Sequence, residues 1–356
     1  MNRGTECLRS ALLLLTTLVT VPACGSGGRE PAASLQGVGA TFPYPLYSKW
    51  ISEFNKLHPD IRIDYQSIGS GGGIKQLTAR TVDFGASDIP MTDDQLGVAR
   101  EEILHIPTVL GPVVIGYNVG GLPSGLKLTP DVLADIFLGR ITKWNDPRLA
   151  ALNSEFALPA ADMVVVHRSD GSGTTAIFVD YLSKVSSEWA THVGRGASVN
   201  WPVGLGAKGN EGVAGQVKQA PGTMGYVELA YAEQNRLSYA SVRNRAGKFI
   251  KPTLDSVTAA ATRAVDHLPE DLRISITDAE GEESYPIAGF TYILVFREQP
   301  DLVKGRALAE FLSWLLHDGN QFVGPLHYAP LPTAMVERAE TKLQLLTHQG
   351  RPLPQH

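Results

Sequence analysis

The sequence predicts an α/β protein of two lobes on a parallel or mixed sheet, and three observations carry this. The chain has 356 residues, room for roughly two domains of about 150 residues each. Short apolar, strand-like segments alternate with helical ones in a βαβ rhythm. No stretch repeats at a fixed period, which sets repeat architectures aside.

The elements follow in order. SLQGVGATF reads as a short strand running into a loop. In PYPLYSKWISEFNKLHP, Leu46, Trp50, Phe54 and Leu57 recur at helical spacing, with Pro43 and Pro45 suited to a first turn. IRIDYQ alternates Ile61, Ile63 and Tyr65 against Arg62, Asp64 and Gln66, the period of a half-buried strand. GSGGG then opens a short helix, IKQLTAR, and VDFGASD is a strand ending at Asp88. GPVVIGYNV is a buried strand. LTPDVLADIFLGR is a helix with Thr129 as N-cap, Pro130 in its first turn and Gly139 as C-cap. MVVVHR is a strand, TTAIFVDYLSKV a helix, and GTMGYVELAYAEQN a strand followed by a helix. AGFTYILVF is a strong strand, and GRALAEFLSWLLHDG an amphipathic helix with Leu308, Phe311, Leu312 and Leu315 on one side. The tail TKLQLLTHQGRPLPQH reads as a last helix with a frayed end. No Gly/Ser linker divides the chain, which points to paired crossover strands as its hinge; their placement near IPTVLGPVV and YPIAGFTY rests partly on the family resemblance given below.

Composition narrows the function classes. A formal net charge of −5 argues against a nucleic-acid binder but leaves a small anion open, because a local site can oppose the global sign. The N-terminus carries Arg3 and Arg9, then an apolar run, ALLLLTTLVTV, of about eleven residues. That is too short to span a membrane and right for a signal-peptide core. VPAC, followed by GSGGREPAAS, resembles a bacterial lipobox and makes Cys24 the expected lipidated residue after a signal peptide over 1–23, with a tether over 24–34. Pro22 departs from that pattern, and an ordinary signal peptide cut near Ala23 is the alternative. Cys7 falls in the signal, so the mature chain holds one cysteine and no internal disulfide or cysteine metal site.

Three short loops share one design. ATFP, IGSGGG and RSDGSGTT each follow a strand-like segment and precede a helix. A helix N-terminus offers unpaired N–H groups and partial positive charge, glycine allows close backbone approach, and Ser and Thr add hydroxyl donors. Ser172 and Thr174 are both plausible N-caps. Arg168 adds a guanidinium fork that fits two oxygens of a tetrahedral oxyanion, and Asp170 either braces it or is a solvated turn residue. Asp88 is a carboxylate near an anion site, which repels unless the anion carries a proton. Phosphate at neutral pH does and sulfate does not. The plainer reading of Asp88 is a helix cap.

Taken together, GVGATFPYPLYSKW, IGSGGGIKQLTARTVDFGASDIP, ITKWNDP, VVHRSDGSGTTAIFVDYLSKV, WPVGLGAKGNEGVAGQV and GTMGYVELAYAEQN resemble the phosphate-binding protein family of high-affinity phosphate ABC transporters, in the same order over residues 37–332. The resemblance implies a type II periplasmic-binding-protein fold: two α/β lobes joined by two crossover strands, with the ligand in the cleft between them. It assigns 35–110 plus 285–356 to one lobe and 111–284 to the other. It implies a ligand shell in which Thr41 and Phe42 give a hydroxyl and backbone N–H groups and Ser70 a hydroxyl and an N–H. Asp88 accepts the phosphate proton, Arg168 supplies the positive charge with Asp170 paired to it, and Ser172, Gly173 and Thr174 donate from a helix N-terminus. Gly71 stands where relatives often have a second serine. The implied partners are inorganic phosphate, the transmembrane permease, and a bacterial membrane through a lipid on Cys24, with a monomeric, exported, periplasmic, non-enzymatic protein using no cofactor, metal or nucleic acid.

Two other functions fit parts of the sequence. A receptor for sulfate or molybdate would use the same donors, and Asp88 discriminates against it. A phosphate-ester or acyl hydrolase would use Ser172, but no G-x-S-x-G elbow is present, the nearest histidine in sequence is His167, and the nine histidines are scattered. No Walker A motif occurs, so ATP would be used by the partner.

Overall fold

The structure is a computed structural model that describes residues 31–265 and 267–353. The signal segment, the lipobox and Cys24 lie outside the described residues.

The first part of the chain is β1 (Ala33–Gly39), α1 (Tyr44–Leu57), β2 (Ile61–Ser67), α2 (Ser70–Thr78), β3 (Phe84–Ser87) and α3 (Asp93–Ala99). Ala33 and Ser34, expected as tether, already belong to β1, because their partners Ile61 and Arg62 extend the ladder that far. β1 pairs in parallel with β2 and β3. α1 buries Leu46, Tyr47, Trp50 and Phe54, and Trp50 Nε1 donates to Gly319 O at 2.7 Å. α2 starts at Ser70, so the glycines expected to precede this helix form its first turns. Gly73 leaves its Cα close to Gly39 Cα and Val38 O, a packing that a side chain would block.

One long strand joins two half-sheets. β4 (Ile103–Asn118) is 16 residues long and buried along almost its whole length. Ile103 to Pro112 pair antiparallel with the later β12 (Ala288–Phe296), which in turn pairs antiparallel with β3. Val113 to Asn118 pair antiparallel with β8 (Thr223–Glu228). One strand therefore serves two half-sheets.

The intervening chain builds the second half-sheet: β5 (Lys127–Leu128), α4 (Pro130–Phe137), α5 (Pro147–Leu152), β6 (Val164–Arg168), α6 (Gly173–Val185), α7 (Ser187–His192), β7 (Leu205–Ala207) and α8 (Gly209–Gln219). Strand order is β2-β1-β3-β12-β4-β8-β6-β7, with β6 parallel to both β7 and β8. Thr129 occupies the N-cap position of α4, but its side chain makes no capping bond, and Leu138 rather than Gly139 is the C-cap. After β8 come α9 (Leu229–Asn235), β9 (Ser238–Tyr239), β10 (Ser241–Arg243), β11 (Phe249–Ile250) and α10 (Leu254–Val265). The chain returns through β12 to α11 (Leu302–Leu316), whose buried face includes the four expected residues Leu308, Phe311, Leu312 and Leu315.

The tail departs from expectation. α12 (Thr333–Leu343) ends early, and β13 (Thr347–His348) pairs with β14 (Arg351–Pro352) as a hairpin. Gln349 and Gly350 both hold positive φ, the geometry of a two-residue hairpin turn, and Leu346 and Leu353 are buried.

At Gly39 the backbones of β1 and β3 come closest to leaving no room for a side chain. The glycine's φ is +146°, and a Cβ there would lie 2.1 Å from Ala86 O, which is backbone and cannot swing away. Gly39→Ala is expected to destabilise the protein by roughly 3 kcal/mol, from overpacking and a disfavoured backbone together. Urea unfolding of the mature protein reads this directly, and a midpoint matching wild type would show that β1 and β3 can separate at no cost.

Candidate functional site

The parallel strands point their carboxyl ends at one place, where a switch in strand order opens a crevice. Thr41 and Phe42 follow β1, Ser70 follows β2, Asp88 follows β3, Arg168 ends β6, and Gly209 and Asn210 follow β7. All the residues anticipated for the site converge here, and Thr41, Phe42, Ser70, Asp88, Arg168, Ser172 and Thr174 are each at most 3% exposed.

The hydroxyls are held in a particular way. Ser70 Oγ accepts from Asp88 N at 3.2 Å and from Gly173 N at 3.1 Å. Thr41 Oγ1 accepts from Asn210 N at 3.3 Å and Asn210 Nδ2 at 2.8 Å. Thr174 Oγ1 accepts from Arg168 Nη1 at 3.3 Å and Asn210 Nδ2 at 3.0 Å. A hydroxyl has two lone pairs and one hydrogen. With both lone pairs filled by N–H groups, each of these three oxygens can act further only as a donor.

Asp88 is the acceptor among them. Oδ1 accepts from Thr291 Oγ1 at 2.9 Å, and Ser70 Oγ lies 3.4 Å from Oδ2. Burial pushes its carboxyl up to about 7, against the opposing pull of Thr291, Arg168 and Ser70. A largely apolar cleft of 240 Å³ lies beside it, lined in part by Ile89, Ile177, Ile276 and Phe290.

Folded Asp88 keeps its proton to about pH 7, whereas the ordinary carboxyl loses it near 3.8. The folded state binds more protons in between, so the contribution of Asp88 to stability is greatest at low pH and falls as pH rises through that window. For the ligand-free protein, the melting temperature of wild type relative to Asp88→Asn should therefore drop between about pH 4 and about pH 8. Glu228 is also buried with a raised pKa, chiefly from burial, with a smaller part from the Asp88 charge that Asp88→Asn removes, so its titration shifts in the same direction in both proteins. A pH-independent difference would mean that Asp88 is ionised throughout.

Arg168 and Asp170 form a two-point pair, Nε to Oδ1 at 2.7 Å and Nη2 to Oδ2 at 2.5 Å. The Arg168 side chain is 1% exposed. Burial alone would raise the Asp170 carboxyl, but the Arg168 bonds and charge outweigh it and hold the group below its usual range. Gly209 N also donates to Asp170 Oδ1 at 3.1 Å. Of the two capping candidates, Ser172 is the N-cap of α6, with Oγ accepting from Thr175 N at 3.0 Å.

Loops from the two half-sheets bond directly. Gly71 N donates to Gly171 O at 2.9 Å, Gly173 N to Ser70 Oγ, Asn210 to Thr41, and Tyr231 OH to Thr41 O at 2.6 Å. Gly69, at φ +92°, turns its Cα toward Asp170 and Gly171, where a Cβ would meet Asp170 Oδ2 at 2.5 Å. At Gly71 a Cβ would stand 3.2 Å from Gly171 Cα, a close approach of the two loops.

Sequence reading missed four contributors. Gly209 and Asn210 open α8 straight after β7, the same strand-to-helix junction that marked the other loops, so that signal was present in GAKGNEG. Thr291 and Tyr226 are ordinary strand residues with no local signal. Tyr226 OH accepts from Arg168 N at 3.0 Å and lies 2.6 Å from Thr175 Oγ1. His167 does not reach Ser172: its ring stacks on Trp201 and its Nδ1 lies 3.0 Å from Arg168 O.

Two lobes sharing a long crossover strand, with helix N-termini converging between them, define a type II periplasmic-binding-protein fold with an anion-directed cleft. The PBP superfamily domain matches residues 25–318. Phosphate-binding protein PstS of Pasteurella multocida is 44% identical over 327 residues, covering 90% of this chain and 94% of that protein. The protein of the same name from Haemophilus influenzae is 44% identical over 314 residues, covering 87% and 92%. The crystal structure of a phosphate-binding protein from Stenotrophomonas maltophilia shares the fold, with a TM-score of 0.67 at 20% identity over 86% of this chain and 93% of that one. The chain belongs to the PBP superfamily and, within it, to the phosphate-binding protein PstS family.

Proposed function

We propose that this protein binds inorganic phosphate between its lobes and delivers it to the membrane permease of a phosphate ABC importer. The observation that carries the reading is Asp88: one buried acceptor facing hydroxyls that can only donate. Such a set suits a tetrahedral oxyanion that is acceptor on most oxygens and donor on one. Thr41, Phe42, Ser70, Arg168, Ser172, Gly173 and Thr174 supply donors, and Asp170 fixes the guanidinium. The relatives' names support the same ligand.

The lobes divide where β4 changes partner, between Pro112 and Val113, and where the chain returns between Ile287 and Ala288. Phosphate touching loops of both lobes binds the closed form better and shifts the population toward it. The permease then receives a closed, loaded receptor and opens it at the expense of its own ATP. The protein is exported to the periplasm, held near a membrane by a lipid on Cys24, and acts as a monomer. It performs no catalysis: Ser172 Oγ accepts from Thr175 N as the cap of α6 and keeps its O–H for the ligand, while the nearest histidine in sequence, His167, turns to Trp201 and Arg168 O instead.

Calorimetry on the mature protein tests the reading. Tight 1:1 binding of phosphate with little sulfate binding is expected. Equal affinity for the two anions would overturn the assignment of Asp88. Phosphate release from an ester, abolished by Ser172→Ala, would restore the hydrolase alternative.

A further inference from the structure

We infer that Asn210 is a positioning residue that sets the donor polarity of the site, holding one hydroxyl from each lobe so that its hydrogen faces the ligand. The inference rests on the phosphate reading above and deepens it.

Asn210 is fully buried at the start of α8. Its amide orientation is fixed, because Oδ1 accepts from Glu228 N at 2.9 Å. Nδ2 must then present its two hydrogens on the other side. They go to Thr41 Oγ1 at 2.8 Å, in the first lobe, and to Thr174 Oγ1 at 3.0 Å, in the second. The Asn210 backbone N–H fills the second lone pair of Thr41 Oγ1 at 3.3 Å, and Arg168 Nη1 fills that of Thr174 Oγ1, also at 3.3 Å. Neither hydroxyl can then accept a ligand O–H, and each has only its own hydrogen to offer. The Asn210 side chain thus selects an anion that accepts at both points and confines the ligand's proton to Asp88. It also bridges the lobes, so the polarity is complete only when they are closed.

A merely structural asparagine would behave differently from a polarity-setting one. A carboxylate at 210 has the same shape but only accepts, so it draws the Thr41 and Thr174 hydrogens toward itself. Phosphate affinity is therefore measured by calorimetry at pH 5.5 and pH 8.5 for wild type, Asn210→Ala and Asn210→Asp. Asn210→Ala is expected to weaken binding by about tenfold at both pH values. Asn210→Asp is expected to weaken it by at least about 100-fold at pH 8.5 and by much less at pH 5.5. At the lower pH the new carboxyl can take up a proton and monobasic phosphate brings a second O–H. Equal losses in the two variants at both pH values would overturn the inference.

A second arm does not depend on the charged variant folding. In a Thr41→Val, Thr174→Val background, Asn210→Ala should cost less than about twofold, because its effect runs through those hydroxyls. An undiminished tenfold loss there would equally overturn it. Failure of wild type to bind phosphate would instead overturn the reading of the site, and is seen before any variant is made.

Discussion

Asp88→Asn is expected to abolish the discrimination between phosphate and sulfate. In the wild type above about pH 8, where Asp88 is ionised, the carboxylate needs a ligand hydroxyl to face it, and a fully deprotonated anion brings repulsion instead. Sites that demand a ligand O–H discriminate by roughly 10⁴–10⁵. An amide at this position removes the negative charge and can donate through its Nδ2. Sulfate affinity should rise, phosphate affinity should fall, and the ratio should collapse to about tenfold or less. Because burial holds the carboxyl near 7, acid should do part of the same work in the wild type: protonated Asp88 is itself a donor. Sulfate binding should therefore strengthen as pH falls toward about 7 and level off below about pH 6, with proton uptake on binding only above that plateau. Calorimetry in two buffers of different ionisation heat measures both quantities. Selectivity unchanged in Asp88→Asn would place the discrimination elsewhere in the site.

Gly173→Ala is expected to separate binding from folding. Gly173 is the first residue of α6, and its backbone is compatible with alanine. Alanine is the better helix former, so the lobe itself should gain up to about 1 kcal/mol or stay level. Across the cleft the result is opposite. A Cβ on Gly173 would lie 2.4 Å from Ser70 Oγ and 2.6 Å from both Asp88 Cβ and Oδ2. Those atoms belong to the other lobe and are themselves held by Thr291 and by backbone. The closed form must give way, and two ligand-facing groups go with it. Phosphate affinity should fall on the order of 10³-fold. The ligand-free melting temperature should match or exceed wild type. A parallel loss of stability would mean that the open and closed forms suffer alike and that Gly173 is a folding constraint.

Much of this was legible along the chain. Strand and helix periods located α1, β2 and α11, because each buries one face and burial imprints a local pattern, while β3 and β6 were located as short apolar runs beside turn signals. The donor loops were legible because strand-to-helix junctions rich in Gly, Ser and Thr have a short-range signature. The tail was misread because its hairpin depends on two positive φ angles at Gln349 and Gly350 and on burial of Leu346 and Leu353 by distant partners. Thr291 and Tyr226 were invisible because their roles depend on residues 203 and 58 positions away.

The sequence by itself determined the chemistry on offer: one arginine, one odd carboxylate, and loops of donors at helix starts. Local periodicity and turn chemistry are enough for that, since they act within a few residues. Only the tertiary structure decided the polarity of those groups. A hydroxyl accepts or donates according to which N–H groups fill its lone pairs, and here those come from Gly173, Asp88, Arg168 and Asn210, brought in from other loops. Asp88 likewise owes its raised pKa to burial by residues distant in sequence, which no spacing along the chain encodes.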